Sequence, residues 1–141
     1  MTDRDLVLRK LTVLLEHVAR VRRRRPDDLA SFEADVDVQD ATTMSLLVAI
    51  QEAIDVALHV ASDSGWGVPG SYAESFELLA QHGVVEPDLV RRLVRMSAVR
   101  NRIAHGYASI DLPRLWSETP AGLEALEAFA AAVATWLGQP G

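Results

Sequence analysis

The stretch TTMSLLVAIQEAIDVALHVA, from Thr42 to Ala61, decides the fold class. Its apolar residues recur at helical spacing: Leu46, Ile50, Ala53, Ala57 and Val60 fall together, and Leu47, Ile54 and Leu58 widen the stripe. Gln51, Glu52, Asp55 and His59 share the narrow polar face that remains. A helix with so wide an apolar arc belongs at the centre of a bundle.

The same periodicity continues on both sides, and alternating β-branched runs are scarce. Upstream, the pattern predicts a helix from about Asp3 to Arg24 that buries Leu6, Val13 or Leu14, and Val18 or Val21, and stops before Pro26. Its basic end, Arg22 to Arg25, complements the helix dipole and reads as solvated structure, with RNA binding as the alternative. PDDLASFEADVDVQD then reads as a connector. Downstream, the glycines and proline of SDSGWGVPGS break the central helix. Ser71 and Glu74 form a capping-box pattern that opens a short helix, which Gly83 closes. A further helix runs from near Pro87 and Asp88 to Gly106, and a last one has Thr119 as cap, Pro120 in its first turn and Gly138 at its end. The expectation is all-α: a single-domain antiparallel bundle of about five helices over residues 1–141.

A chain of 141 residues with 49% hydrophobic and 24% charged content suits one globular domain and is short for two. Cysteine is absent, which excludes disulfides and thiolate metal sites. With no signal-peptide pattern and no uninterrupted apolar run of the ~20 residues a membrane span needs, a cytoplasmic protein without membrane attachment is expected. The net charge of -6 argues against coating nucleic acid by bulk electrostatics, so local charge matters more. No acidic residue lies between Asp88 and Asp111, whereas Arg91, Arg92, Arg95, Arg100 and Arg102 do; Arg95 and Arg102 are candidate phosphate contacts.

At about 100° per residue, Leu93, Met96 and Ile103 fall close to Leu89 and define an apolar stripe. Arg91, Arg92, Arg95 and Arg102 gather opposite it, but Arg100 falls about 20° from Leu89. An unpaired guanidinium is costly to desolvate. Arg100 therefore pairs with a buried carboxylate, snorkels to an edge, or sits on a subunit face that leaves room for an anionic ligand. His105, five residues on, is about 140° away in a regular helix and would turn toward Arg100 if the helix ended or kinked near Ala104, with Asn101 one turn earlier as orienting partner. An arginine that holds phosphate and a histidine that moves a proton suffice to cleave RNA through its own 2′-hydroxyl without a metal.

RNRIAHGY, Arg100 to Tyr107, matches the Arg-x4-His-x-Tyr signature of the HepT-like branch of the HEPN superfamily. The glycine–proline break and the segment SYAESFELLAQHGVV resemble the family as well. The resemblance implies a HEPN-like homodimer in which the two motifs meet in a composite cleft, acting as the toxin of a toxin–antitoxin pair and as a metal-independent endoribonuclease with no cofactor. Arg100 and His105 would be catalytic, with Asn101 supporting them. Tyr107 would be adenylylated by a partner antitoxin, an MntA-like minimal nucleotidyltransferase, which silences the toxin. Gly106, between histidine and tyrosine, departs from the larger residue of many relatives and implies a more mobile loop.

Other patterns carry less. Asp55 and His59, with Glu52 a turn earlier, have metal-pair spacing but lack a second Glu-x-x-His unit, so a solvated or interface face is expected. A place behind the cleft is the other reading of Asp55 and His59. His17 and His82 read as surface or edge residues, and Trp66, Trp116 and Trp136 as too scattered for a base-stacking platform. The rival function is a non-catalytic HEPN module that binds nucleotides or a partner; it would not need His105 together with Tyr107.

Overall fold

The computed structural model describes residues 2–140, and among them there are helices and no strand. The elements are α1 (Arg4–Arg24), α2 (Leu29–Ala34), α3 (Val36–Asp63), α4 (Tyr72–Gln81), α5 (Pro87–Gly106), a 3-10 turn at Tyr107–Ser109, and α6 (Leu112–Leu137).

The all-α class is as the periodicity predicts, with six α-helices where about five were expected. The addition is α2, inside the segment read as a connector. Asp28 accepts from Ser31 N at 2.7 Å to start it, and Phe32 anchors it in the core at 2% exposure. Asp35 ends α2 and also caps α3 through Val38 N, so α3 begins at Val36 rather than near Thr42. Asp28 and Asp35, within the segment read as a connector, are helix caps.

α3 packs against each of the other helices. By length and composition alone it could cross a bilayer, but Leu46, Ile50, Ala53, Ile54, Val56 and Val60 are at most 1% exposed within the bundle. Its end is a Schellman motif: Gly65, at φ 73°, donates to Ser62 O and Trp66 to Ala61 O. Gly83 closes α4 in the same way, and Ser71 Oγ caps it at Glu74 N, 3.1 Å. On α1 the buried stripe is Val7, Leu11, Leu14, Val18 and Val21, so Val7 takes the place assigned to Leu6.

α6 starts a full two turns before the expected Thr119, capped by Asp111 on Arg114 N with Pro113 in its first turn. Pro120 consequently lies inside the helix, where it has no N–H for Trp116 O. Arg25 supplies the missing donor: its Nη2 bonds Trp116 O at 3.0 Å, and its Cζ lies 3.6 Å from the Trp116 ring centre. Burial lowers the Arg25 pKa. The last residue of the basic run is therefore structural and only half-exposed. Elsewhere Trp66 stacks on His82 with ring centres 4.0 Å apart and meets Trp136 edge-on at 5.7 Å, so two of the three tryptophans cluster.

Candidate functional site

α5 carries its apolar stripe on Leu89, Val90, Leu93, Met96, Val99 and Ile103, all buried. Arg100 is half-buried at the margin of that stripe, facing α3 and α4. Its Nε donates to Gln51 Oε1 at 3.0 Å and its Nη1 to Asn101 Oδ1 at 3.3 Å, while its Cζ lies 5.6 Å from the Tyr72 ring centre. These partners are an amide, an amide and a ring face. Among the described residues Arg100 forms no ion pair, so of the three readings the buried carboxylate partner is not found and its charge stays uncompensated by direct contact.

Gln51 is fixed in turn. Its Nε2 donates to Asp55 Oδ1 at 2.9 Å, one helical turn on, and Asp55 Oδ2 is 3.6 Å from Lys10 Nζ on α1. Lys10 also reaches Glu52 Oε2 at 3.4 Å. The narrow polar face of α3 thus leads from α1 to Arg100. His59, the last residue of that face, lies 3.1 Å from Asp63 through Nε2.

His105 stands elsewhere. α5 continues unbroken to Gly106, so the kink near Ala104 that would turn His105 toward Arg100 is absent, and five helical steps keep the two about 140° apart. Asn101 contacts the arginine rather than the histidine. His105 is exposed and lines a cavity of about 330 Å³ formed with Val99, Ile103, Ser109, Ile110 and Leu115. Arg102 and Arg114 border the same cavity, and both pair with Glu118, Arg114 at 3.4 Å. Arg95 is exposed and makes no ion pair or hydrogen bond among the described residues.

Tyr107 opens the 3-10 turn after α5 and is 52% exposed. Its hydroxyl donates to Asp40 on α3, and that bond to a carboxylate raises the phenol's pKa. Val36 and Met44, one turn to either side of Asp40, are also exposed. Sequence reading missed both Asp40 and Gln51. Each contact spans a long stretch of chain and leaves no local pattern; for Gln51 the one signal was its place on the narrow polar face that points at α5.

A family model described as ribonuclease HepT-like matches residues 3–133. An mRNA nuclease HepT of Shewanella oneidensis is 28% identical over 108 residues, 77% of this chain and 80% of that protein. A tRNA nuclease HepT of Aphanizomenon flos-aquae is 33% identical over 99 residues, 69% of this chain and 64% of its own length. The solved structure of a tri-AMPylated Shewanella oneidensis HEPN toxin in complex with an MNT antitoxin superposes with a TM-score of 0.85 at 26% identity, covering 94% of this chain and 99% of that one.

Proposed function

Because the chain belongs to the ribonuclease HepT-like family, we propose that it is the toxin of a HEPN/MNT toxin–antitoxin pair and cuts RNA without a metal in the cytoplasm. In this reading it acts as a homodimer of single-domain subunits, its Arg-x4-His motifs meet across the subunit junction, and an MntA-like nucleotidyltransferase silences it by adenylylating Tyr107.

The observation that carries the reading is the guanidinium of Arg100, half-buried at the edge of an apolar face and held only by neutral groups. Its remaining N–H donors suit a phosphate, and its charge would offset the charge that grows on phosphorus. The RNA 2′-oxygen attacks the adjacent phosphorus, the P–O2′ bond forms and the P–O5′ bond breaks. The proton lost by the 2′-hydroxyl and the proton gained by the leaving 5′-oxygen pass through imidazole, the role of His105. Arg100 and His105 diverge on one helix, which supports a cleft that takes them from two subunits. Arg95, unpaired, is suited to a flanking phosphate, whereas Arg102 first has to leave Glu118.

RNA as substrate rests on the nuclease relatives, and the antitoxin on the solved toxin complex with its AMP groups. Tyr107 is exposed and two residues from His105, so AMP groups esterified there would crowd the histidine and compete with RNA phosphate for Arg100.

The test is incubation of unmodified protein, verified by intact mass, with RNA and EDTA beside Arg100→Ala and His105→Ala. Cleavage by the wild type alone, with both variants folded, is the expected result. If unmodified wild type leaves a broad set of RNAs intact, the nucleotide- or partner-binding module replaces the enzyme.

A further inference from the structure

Arg100 is held by acceptors that leave its charge in place. Gln51 Oε1 takes the Nε–H at 3.0 Å, and a neutral amide, unlike a carboxylate, fixes the guanidinium without cancelling it. An amide can rotate to present either end, but Gln51 cannot do so freely: its Nε2 is bound to Asp55 Oδ1 at 2.9 Å. Asp55 needs its own counterion, and Lys10 Nζ, 3.6 Å away on a third helix, supplies it. The negative charge nearest to Arg100 along this chain of contacts is therefore one residue removed and already met by a lysine.

Resting on the ribonuclease reading, we infer that Gln51, oriented by Asp55, is a positioning residue that presents the still-charged Arg100 guanidinium to the RNA phosphate. Position and charge are separable here. Removing the amide lets the guanidinium swing while its charge remains, and misplacement of about 1 Å can cost on the order of a hundredfold in rate. Replacing the amide by a carboxylate keeps the guanidinium in place and cancels its charge, which removes about one phosphate contact from the salt dependence of binding. A residue that merely packed α3 against α5 would produce neither signature.

The experiment compares wild type, Gln51→Met, Gln51→Glu, Asp55→Leu and Arg100→Ala, each verified as folded by circular dichroism and melting. Cleavage is measured on RNA, and binding on the same RNA bearing 2′-O-methyl groups, across a salt series. Gln51→Met is expected to cut on the order of 10–100-fold more slowly with nearly unchanged affinity and salt slope. Gln51→Glu is expected to bind more weakly, with a salt slope smaller by about one contact. Asp55→Leu, which frees the Gln51 amide but leaves it present, follows Gln51→Met with a smaller loss and serves if Gln51→Met is unstable. If both Gln51 variants cut and bind like wild type while Arg100→Ala is dead, the inference is overturned and the ribonuclease reading survives. If wild type binds but does not cut, and Gln51→Glu and Arg100→Ala both lose affinity and slope, cleavage is overturned and the positioning role stands. Wild type that neither cuts nor binds RNA overturns both.

Discussion

The hydroxyl of Tyr107 donates to the carboxylate of Asp40, 67 residues earlier, and ties the turn after α5 to the first half of α3. An anionic acceptor favours the neutral phenol, and this bond is the main reason that the tyrosine's pKa is raised from 10.0. A raised pKa means that the bond's contribution is present below the ordinary value and fades as pH climbs through the folded one. Asp40→Asn should bring the Tyr107 titration back toward 10.0, as read from phenolate absorbance in a Tyr72→Phe background. An unchanged titration would mean that the two side chains do not meet in solution.

The same bond bears on the proposed modification. An adenylylated oxygen has no hydrogen to donate, and its phosphodiester would place a negative charge beside Asp40. Incubated with a cognate nucleotidyltransferase and ATP, wild type should gain AMP mass and Tyr107→Phe should gain none. AMP mass on Tyr107→Phe would move the acceptor to another residue.

For the cleavage itself, Arg100→Ala is expected to lose on the order of 10²–10³ in rate through the missing electrostatic stabilisation. His105→Ala is expected to lose on the order of 10²–10⁴ through the missing proton transfer. Arg100→Lys should not restore activity, because an ammonium cannot bond Gln51 through a side nitrogen and still present a fork to phosphate. Initial rates on one RNA, with melting temperatures alongside, check all three. Full activity in Arg100→Lys would reduce the arginine to a point charge.

Sequence periodicity was enough for the bundle because burial in a helix repeats every three or four residues, and α3 displays that repeat over most of its length. Local caps were legible for the same reason: Ser71 and Glu74 lie within one turn, as do Gly83 and the carbonyl that it meets. α2 was missed because one turn and a half, anchored by Phe32, is too short to show a period. The early start of α6 was missed because Thr119 and Pro120 form a convincing false cap, while the true one, Asp111, stands in an apparent loop. At the site, Arg100 stood out as a charge on an apolar stripe, whereas Gln51 and Asp40 are defined by contacts across 49 and 67 residues that no local pattern encodes.

Packing between α5 and α6 depends on Gly122, where an added Cβ would clash with Met96 Sδ. Gly122→Val should lower stability by about 1–3 kcal/mol through overpacking. Gly122→Ala should cost less, since alanine's better helix propensity returns about 1 kcal/mol and the methionine end can shift. Denaturant melts of both variants, alone and with Met96→Ala, test this. The valine penalty should shrink when Met96 is cut back, and a penalty that persists would place the clash elsewhere.

Arg25 and Pro120 form a testable pair, linked through Trp116 O. Proline at 120 leaves Trp116 O without its helical donor, and Arg25 Nη2 bonds that oxygen at 3.0 Å while its guanidinium stacks on the Trp116 ring. Arg25→Ala should therefore destabilise the protein by about 1–2 kcal/mol, from the stranded half-buried carbonyl and the lost cation–π contact. In a Pro120→Ala background the helix regains an N–H for Trp116 O, so the cost of Arg25→Ala should fall by about 0.5–1.5 kcal/mol, the worth of one hydrogen bond. A double-mutant cycle by urea unfolding reads the difference. Equal costs in both backgrounds would show that Arg25 acts through the tryptophan ring alone; coupling of the expected size would show that the last arginine of the basic run exists to satisfy a carbonyl that proline leaves open.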